Sequence, residues 1–337
     1  MTMRIFGCGL FWSRKKLQAP SASPPRRQPR EIKPEEIKVA IFCTRIEDLI
    51  AVLYSLDEEL VCYFPPNPAS CKYVFAYGRI ANYNVIIARG IHTGPIQAAQ
   101  VAATVSFLFP HIRHAISVGT AGGIPSAADV RLGDIAVSVP GKDHPGVIQY
   151  DAGRFEDDGF ELDEEAYFDP PPPELLRAVG AVWQAENSEK GTLKGILSEI
   201  ISKSSFYRPT AEDILFDADF HHVNPGAGCG ACLAKRRAAV VHRWPPRRGQ
   251  MPVVHRGLIL SGGVVVKHPN YRNTLRRGYK DALCFETEAA GIMDEIPCIV
   301  VRGISNYADT HKQDDWREFA AAASAAYCKA LLYRLEL

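Results

Sequence analysis

The chain has 337 residues, of which 47% are apolar, so it can bury a full core as one large domain or two small ones. Its 39 Lys and Arg residues nearly balance its 38 Asp and Glu residues, and a net charge of +1 gives no argument for nucleic acid or an anionic membrane as a partner. No apolar stretch reaches the roughly 20 residues of a membrane-spanning helix. The composition therefore favours a soluble protein with a small-molecule partner.

The N-terminal residues 1–35 are basic and rich in proline. Seven Lys and Arg residues precede the first acidic residue, Glu31, and the Pro/Ser/Arg cluster over 19–30 cannot pack into a core. We expect a disordered tail here, because prolines would break the amphipathic helix of the alternative, a mitochondrial presequence. Nine cysteines without framework spacing and the lack of a proper secretory signal indicate a reducing compartment, and we expect a cytoplasmic protein.

The rest of the chain, residues 36–337, is expected to form one domain. Short apolar runs predict its buried strands, which in chain order are Ile37–Thr44, Tyr73–Ala76, Asn84–Ala88, His114–Val118, Asp134–Val139, Gly257–Ser261, Leu283–Phe285 and Ile296–Gly303. Helical spacing predicts helices over Glu47–Leu56, from Pro95 onward, and over Glu174–Glu186, Thr192–Ser202 and Asp314–Leu335. This order predicts an α/β fold of three layers, α/β/α, with a central mixed sheet.

Two further stretches are irregular in the sequence. The glycines of Gly119–Pro125 predict a turn between the fourth and fifth strands. From about 206 to 253 the pattern dissolves into Pro, Gly, Arg, His and Cys, which predicts an irregular insertion within the domain.

The segment Ser117–Gly123 follows an apolar strand, and ligands bind at the carboxyl ends of strands in open α/β sheets. Its glycines would let backbone N–H groups approach a ligand oxygen, and Thr120 adds a hydroxyl donor. An ordinary tight turn is the alternative interpretation of this pattern.

Two later segments also place polar groups after an apolar strand. Cys284–Gly291 contains Glu286 and Glu288, and a carboxylate suits the two hydroxyl donors of a ribose because charge-assisted hydrogen bonds are strong. Paired glutamates at a helix start could instead simply favour the helix dipole. Val300–Asp309 ends in a cluster of hydrogen-bonding side chains, for which a helix N-cap or a turn is the alternative.

Together and in this order, these segments resemble the nucleoside phosphorylase superfamily, in particular the bacterial methylthioadenosine/adenosylhomocysteine nucleosidases and the related domains of fungal NLR-like proteins. The resemblance runs from Ile37 to the C-terminus. Further segments support it, namely Tyr77–Ile80, Asp134, Gly146–Asp151, Pro170–Pro173 and Gly257–Gly262.

The resemblance implies a nucleoside site in which Glu288 binds the ribose hydroxyls. It also implies substrate-binding positions that line the sugar (Glu286, Thr287), lie beside the anomeric carbon (Thr120, Ala121, Gly122), lie near the base (Val265, Val266) and approach the 5′ end (His92), together with Arg302. The acid that positions the nucleophile falls on Asp48 or Glu47, because the spacing from Cys43 differs by one residue from the usual fungal form. The two remain alternatives.

Two positions depart from the family pattern. Ser117 stands where the hexameric bacterial phosphorylases have a phosphate-binding arginine, which favours water over phosphate as the nucleophile. Asn306 stands where the family has the catalytic aspartate that protonates N7 of the leaving purine, and an amide cannot donate that proton. General-acid help is worth ~10²–10⁴-fold in rate, so turnover is expected to be slow or absent unless the asparagine shifts the choice of base, as in the trimeric purine phosphorylases.

The insertion contains groups that could bind metal or phosphate. His221, His222, Cys229 and Cys232 could form a zinc set with His242 or His255, but a single Cys-x-x-Cys is weak evidence and we expect no metal. Five arginines could meet nucleotide phosphates, although a solvated basic loop is the more usual outcome: Arg208, Arg236, Arg237, Arg247 and Arg248.

The sequence therefore predicts a purine nucleosidase that cleaves the N-glycosidic bond of a nucleoside or nucleotide with water. We expect no cofactor, no nucleic-acid or membrane partner, and assembly into a homo-oligomer. A phosphate-dependent purine nucleoside phosphorylase is one alternative. The other is a catalytically weak nucleoside-binding sensor of the NLR type, because of Asn306.

Overall fold

The computed structural model describes residues 2–6, 9–13, 29–63, 72–125, 129–157, 159–163, 168–188, 190–224, 227–235, 239–245, 247, 249–312 and 314–336. Its strands are β1 Thr2–Phe6, β2 Gly9–Ser13, β3 Arg30–Ile32, β4 Ile37–Cys43, β5 Glu58–Cys62, β6 Val74–Ile80, β7 Tyr83–Arg89, β8 His114–Gly123, β9 Ile135–Ser138, β10 Val147–Gln149, β11 Gly153–Glu156, β12 Gly159–Leu162, β13 Val254–Ser261, β14 Ala282–Glu286 and β15 Ile299–Asn306. Its α-helices are α1 Ile46–Ser55, α2 Pro95–Leu108, α3 Pro173–Glu186, α4 Leu193–Ser204, α5 Gly230–Lys235, α6 Pro269–Gly278, α7 Ala289–Met293 and α8 Arg317–Leu332.

Most strands join one mixed sheet, in the order β1-β2-β6-β7-β4-β8-β14-β13-β9-β15. Strand β15 also pairs with β8, so β8, β14, β13, β9 and β15 close into a ring. The pairs of β4 with β7 and with β8 are parallel, whereas β6 pairs antiparallel with β7. This large mixed sheet, with helices packed on it, confirms the α/β class predicted from the sequence.

The helices pack in two groups. Helices α1, α3 and α4 contact α8, and α8 also packs on β8, β9 and β15, whereas α2 packs against α7. Every residue of α8 from Phe319 to Leu332 is buried. Its many alanines allow close approach: a Cβ atom at Gly303 of β15 would overlap the carbonyl oxygen of Ala320. Strand β15 is therefore fixed against α8 at backbone distance.

The predicted turn at Gly119–Pro125 is wrong over its first five residues, because β8 continues to Gly123. The extension pairs with β15 and, at Gly122 and Gly123, with β14. Glycines have no side chains that could alternate between the two faces of a sheet, so this pairing could not be predicted from the pattern of residues. Helix α6 was also missed, because its sequence is strongly polar and contains few apolar residues; its N-cap His268 accepts a hydrogen bond from the backbone of Tyr271.

The N-terminal region contains short strands where a disordered tail was expected. Strands β1 and β2 form a hairpin, β2 touches the sheet at β6, and β3 pairs with β5. The tail stays a prediction for the rest of this region, of which residues 14–28 lie outside the described residues.

Regular structure is sparse in the insertion, residues 206–253. Its described part contains α5 and one bridge between Phe216 and Val240. A small separate cluster of buried residues holds it together: Phe216, Phe220, Cys229, Cys232 and Ala239. Over the described ranges of the whole chain, no helix combines the length and apolar character needed to cross a membrane.

Candidate functional site

A cleft of about 650 Å³ opens where β8, β14 and β15 end. The sequence predicted half of the residues that line it: Thr120, Ala121, Gly122, Val265, Val266, Glu286, Thr287, Glu288 and Asn306. The other lining residues were not predicted: Thr44, Arg45, Thr93, Val264, Phe285, Ser305, Ala308, Lys312 and Arg317. The three polar segments of the sequence thus meet at one site.

Glu288 is a buried carboxylate that three chain segments hold at the cleft. Its Oε2 accepts a hydrogen bond from Thr44 Oγ1 at 3.1 Å, and its Oε1 accepts from the backbone N–H of Gly94 at 3.2 Å and from Thr287 Oγ1 at 2.6 Å. Burial and then the charge of Glu286 raise the pKa of the Glu288 carboxyl, against the opposite effect of Arg302. An ionised carboxylate has about four lone-pair sites, and these three bonds use three of them. Glu288 therefore has one site left for a ligand hydroxyl, and a second ligand hydroxyl would replace the Thr44 or Thr287 hydroxyl.

Glu286 is engaged by protein groups. Its Oε2 lies 2.5 Å from Arg302 Nη2, and the backbone N–H groups of Glu288 and Ala289 donate to the same carboxylate at 3.0 to 3.1 Å. These bonds account for most of its acceptor capacity. Glu286 therefore forms a wall of the cleft and orders the start of α7, which carries Glu288 at its N-cap.

Arg302 lies behind the cleft and does not line it. Its side chain is fully buried, and it donates to the backbone carbonyl and the hydroxyl of Ser117, both at 2.9 Å, as well as to Glu286. Burial alone would lower the pKa of this guanidinium, but the carboxylates of Glu286 and Glu288 raise it. Ser117 is buried by the same contact, so neither residue of the pair reaches the cleft surface.

The structure separates the two candidates for the acid near the first strand. Asp48 is fully buried, its Oδ2 accepts from the backbone N–H of Arg45 at 2.8 Å, and its Oδ1 has no hydrogen-bond partner. Glu47 points to the other side of α1, where its Oε1 lies 3.9 Å from Arg317. Asp48 is close enough to Glu288 and Arg302 for their charges to affect its ionisation.

Burial raises the pKa of the Asp48 carboxyl from 3.8 to about 7, although the Arg45 backbone bond and the charge of Arg302 oppose the shift. We expect Asp48→Asn to stabilise the fold by up to about 4 kcal/mol at pH 8. Between pH 4 and 7 the folded wild type keeps a proton that the unfolded chain has lost, so its stability falls as the pH rises. The variant has no such loss.

Urea unfolding of the wild type and Asp48→Asn between pH 5 and 8 tests this, with Glu47→Gln as the matched control on the same turn of α1. The stability difference between Asp48→Asn and the wild type should grow with pH and level off above 7. A difference that is constant over this range would mean that the Asp48 carboxyl does not titrate there.

Asn306 lines the cleft with a side chain fixed on both sides. Its Nδ2 donates to Ser305 Oγ at 3.0 Å, and its Oδ1 accepts from the backbone N–H of Ala308 at 3.0 Å. A Cβ atom at Gly122 would lie 3.0 Å from the same Oδ1, so the glycine makes room for the amide. One N–H of the amide remains for a ligand, and no proton can be transferred from it.

Positive charge collects at the cleft in Arg45, Lys312 and Arg317. Burial lowers the pKa of Lys312 to about 8, and repulsion from Arg45, Lys267 and Arg317 adds to this effect. The sequence signal for these residues was weak: Arg45 comes two residues after β4, and Lys312 shortly follows the third polar segment. The structure brings the three together from separate segments.

His92 lines a smaller neighbouring cavity of about 320 Å³. Thr44 and Glu288 line both this cavity and the cleft, so the two spaces adjoin each other. The residue predicted near the 5′ end of a sugar is thus separated from the main cleft by the contact between Thr44 and Glu288.

The described arginines of the insertion are engaged elsewhere. Arg208 stacks 4.7 Å from the Trp316 ring, and Arg247 forms two hydrogen bonds with Asp134, so neither lines the cleft. Arg236, Arg237 and Arg248 lie outside the described residues.

Of the histidines considered for zinc, His255 lies 2.9 Å from Asp134 and cannot join the cysteines. His222, Cys229 and Cys232 do come together, with ligand atoms within 4.8 Å of one another, at a place that is not part of the cleft lining.

A family model described as the phosphorylase superfamily matches residues 40–335. A nucleotide-binding leucine-rich repeat (NLR)-like protein of Hyaloscypha variabilis is 34% identical over 307 residues, which cover 89% of this chain and 29% of that protein. This chain therefore spans less than a third of its relative.

Solved structures with a similar fold include two bacterial hydrolases. The futalosine hydrolase of Helicobacter pylori has a TM-score of 0.56 at 18% identity, over 89% of this chain and 99% of that one. The 5′-methylthioadenosine/S-adenosylhomocysteine nucleosidase of Neisseria meningitidis, in complex with methylthio-immucillin-A, has a TM-score of 0.57 at 17% identity, over 88% and 98%. An aspartate-to-asparagine variant of the Helicobacter pylori nucleosidase, with 5′-methylthioadenosine in its active site, has a TM-score of 0.55 at 18% identity, over 89% and 99%.

Proposed function

The chain belongs to the phosphorylase superfamily, and on that basis we propose that it hydrolyses the N-glycosidic bond of a purine nucleoside or nucleotide. The observation that carries the proposal is the buried Glu288 carboxylate in the cleft lining, with a second buried carboxyl group, Asp48, close to it. Glu288 is positioned to accept a ligand hydroxyl. Asp48 does not line the cleft, but it is near enough to Glu288 for the two charges to interact, its Oδ1 has no hydrogen-bond partner, and burial raises its pKa to about 7. A pKa near the working pH suits a general base.

In the proposed reaction the C1′–N bond of the ribose breaks through an oxocarbenium-like sugar, as in glycoside hydrolysis. Glu288 accepts hydrogen bonds from the 2′ and 3′ hydroxyls, and its charge stabilises the positive ring. Asp48 takes a proton from the attacking water, whose oxygen bonds to C1′. The bonding electrons leave with the base, which Asn306 can hydrogen-bond but cannot protonate.

Water is favoured over phosphate because no cation occupies position 117. Ser117 is buried under Arg302, which is itself neutralised by Glu286. A phosphate that attacked C1′ beside Ser117 would meet the charge of Glu288 without a guanidinium at that position, and like charges repel.

Arg45, Lys312 and Arg317 favour a nucleotide over an uncharged nucleoside as the substrate. Three cationic groups at one cleft suit phosphate oxygens, which accept charge-assisted hydrogen bonds. In this proposal the substrate phosphates contact these three residues of the cleft and not the arginines of the insertion.

Asn306 supports the sensor alternative. A chain without the proton donor would bind a nucleoside and release it unchanged or very slowly. Two findings are compatible with this alternative: the NLR-like relative is a much longer protein, and the Helicobacter pylori asparagine variant holds its nucleoside in the active site.

Chromatographic detection of free base separates these functions. The protein is incubated with ATP, AMP, adenosine, inosine and 5′-methylthioadenosine, each with and without inorganic phosphate, and binding of the same compounds is followed by calorimetry. Release without phosphate supports the nucleosidase, and strictly phosphate-dependent release supports the phosphorylase. Binding without release supports the sensor, and neither binding nor release would refute all three.

A further inference from the structure

We propose that His222, Cys229 and Cys232 bind a zinc ion in the insertion, apart from the cleft, with His311 completing the set of ligands. The ligand atoms of the first three residues lie within 4.8 Å of one another. Two sulfurs and one imidazole nitrogen are a ligand set that suits zinc, and four-coordinate tetrahedral geometry is usual for its structural sites.

Backbone N–H groups orient two of these three side chains. Cys232 Sγ accepts a hydrogen bond from the backbone N–H of Val223 at 3.4 Å, which orients the sulfur. Nδ1 of His222 accepts from the backbone N–H of Asn224 at 3.2 Å, so Nδ1 is the unprotonated ring nitrogen. A metal bound at that nitrogen would replace this hydrogen bond.

His311 is a histidine with an unsatisfied buried nitrogen beside the cluster. Its side chain is 8% exposed, and its Nε2 has no hydrogen-bond partner. The centre of its ring lies 5.3 Å from that of His222. Two imidazoles on one tetrahedral zinc have ring centres about 5 Å apart, given Zn–N bonds of about 2.0–2.1 Å, so the ring spacing is close to that of a shared metal. His311 is not among the residues whose ligand atoms already lie within 4.8 Å of one another, so its side chain would move towards the cluster when it binds the metal.

Burial distinguishes this Cys-x-x-Cys from a redox motif. The two cysteines are 8% and 0% exposed, whereas a cysteine that attacks another protein's disulfide must be accessible. Zinc binding needs no oxidant: each thiol loses its proton to solvent as its sulfur bonds to the metal, so two protons are released for each ion.

The site also explains how the insertion can be ordered. Its own core consists of a few apolar residues and one short helix, and such small units commonly depend on a metal or a disulfide. The backbone N–H of His222 already donates to Thr310 Oγ1 at 3.2 Å. A metal shared with His311 would fasten the insertion to the segment that carries Lys312 into the cleft.

Metal analysis of the full chain tests the proposal. After dialysis against zinc and removal of unbound metal, we expect one zinc per chain in the wild type and at least a tenfold loss of zinc affinity in Cys229→Ser, Cys232→Ser and His222→Ala. His221→Ala and Cys62→Ser are the matched controls, because they change a neighbouring histidine and another buried cysteine outside the cluster. Zinc-free wild type, or equal zinc in the cluster variants, would overturn the site.

Cobalt substitution in the wild type avoids dependence on variants that fold poorly. A tetrahedral site with two thiolates should give sulfur-to-cobalt absorption in the near ultraviolet together with tetrahedral visible bands, and the metal should protect two thiols from alkylation. Absence of these signals would contradict the proposal. His311→Ala should keep the sulfur band and change the visible bands, and unchanged visible bands would remove His311 from the ligand set.

Discussion

Replacing Asn306 by aspartate should increase the rate of base release by about 10²–10⁴-fold, the usual contribution of a general acid. The surroundings already suit a carboxyl group. The backbone N–H of Ala308 donates to Oδ1, and the Ser305 hydroxyl, now an acceptor from Nδ2, could turn to donate instead. Burial would raise the pKa of the introduced carboxyl, which would favour the protonated form that can donate to N7 of a purine.

The pH dependence provides a second readout for this substitution. Release by Asn306→Asp should fall as the pH rises through the pKa of the introduced carboxyl, because only its protonated form donates. Asn306→Ala is the control, since it removes the amide without supplying an acid, and it should show no gain. If Asn306→Asp still binds nucleosides but releases no base, the hydrolytic proposal fails and the sensor alternative is favoured.

Glu288→Gln should lower kcat/KM for base release by about 10²–10⁴-fold, measured in the Asn306→Asp background where turnover is expected to be highest. The estimate follows from two charge-assisted hydrogen bonds to the ribose hydroxyls, each worth about 1.5–3 kcal/mol. Glutamine keeps the shape of the side chain and an oxygen for Thr44 or Gly94, but it loses the charge. Glu295→Gln, on the exposed surface just after α7, is the control.

A substrate without the 2′ hydroxyl shows whether the loss of kcat/KM in Glu288→Gln comes from the contact between Glu288 and the ribose. Removing that hydroxyl should cost the Glu288 protein much more activity than the Glu288→Gln protein, because the two changes remove the same interaction. Equal, additive losses would show that Glu288 supports the cleft without contacting the ribose.

Much of the fold was predictable because its strands are buried on both faces. The run Ile37–Cys43 is almost continuously apolar, and the structure has a strand there flanked by two parallel neighbours. Strands and helices were missed where the order of apolar and polar side chains does not distinguish one type of secondary structure from another. The glycines of 119–123 pair in the sheet without any alternation, and the polar helix α6 depends on its cap and on the pairing of Arg272 with the Tyr307 carbonyl and with Asp309.

Site residues could be predicted from the sequence where several of them follow the end of one apolar strand. Glu288, Thr120 and Asn306 follow directly from such ends. Asp48 and Glu47 could not be separated, because they are adjacent and only the capping bond of Asp48 to Arg45 decides which one turns inward. The cationic group was missed because its members come from different elements and meet only after folding.

The contact between Gly303 and Ala320 limits how this chain can vary. A single added methyl group at Gly303 would push against the backbone of α8, and α8 cannot retreat, since α1, α3 and α4 pack against it. The position of strand β15 relative to α8 is therefore fixed, and so is the position of Asn306 at the end of the strand. Evolution can exchange the chemistry at position 306 by one substitution, because the scaffold that aims this side chain stays the same whatever group it carries.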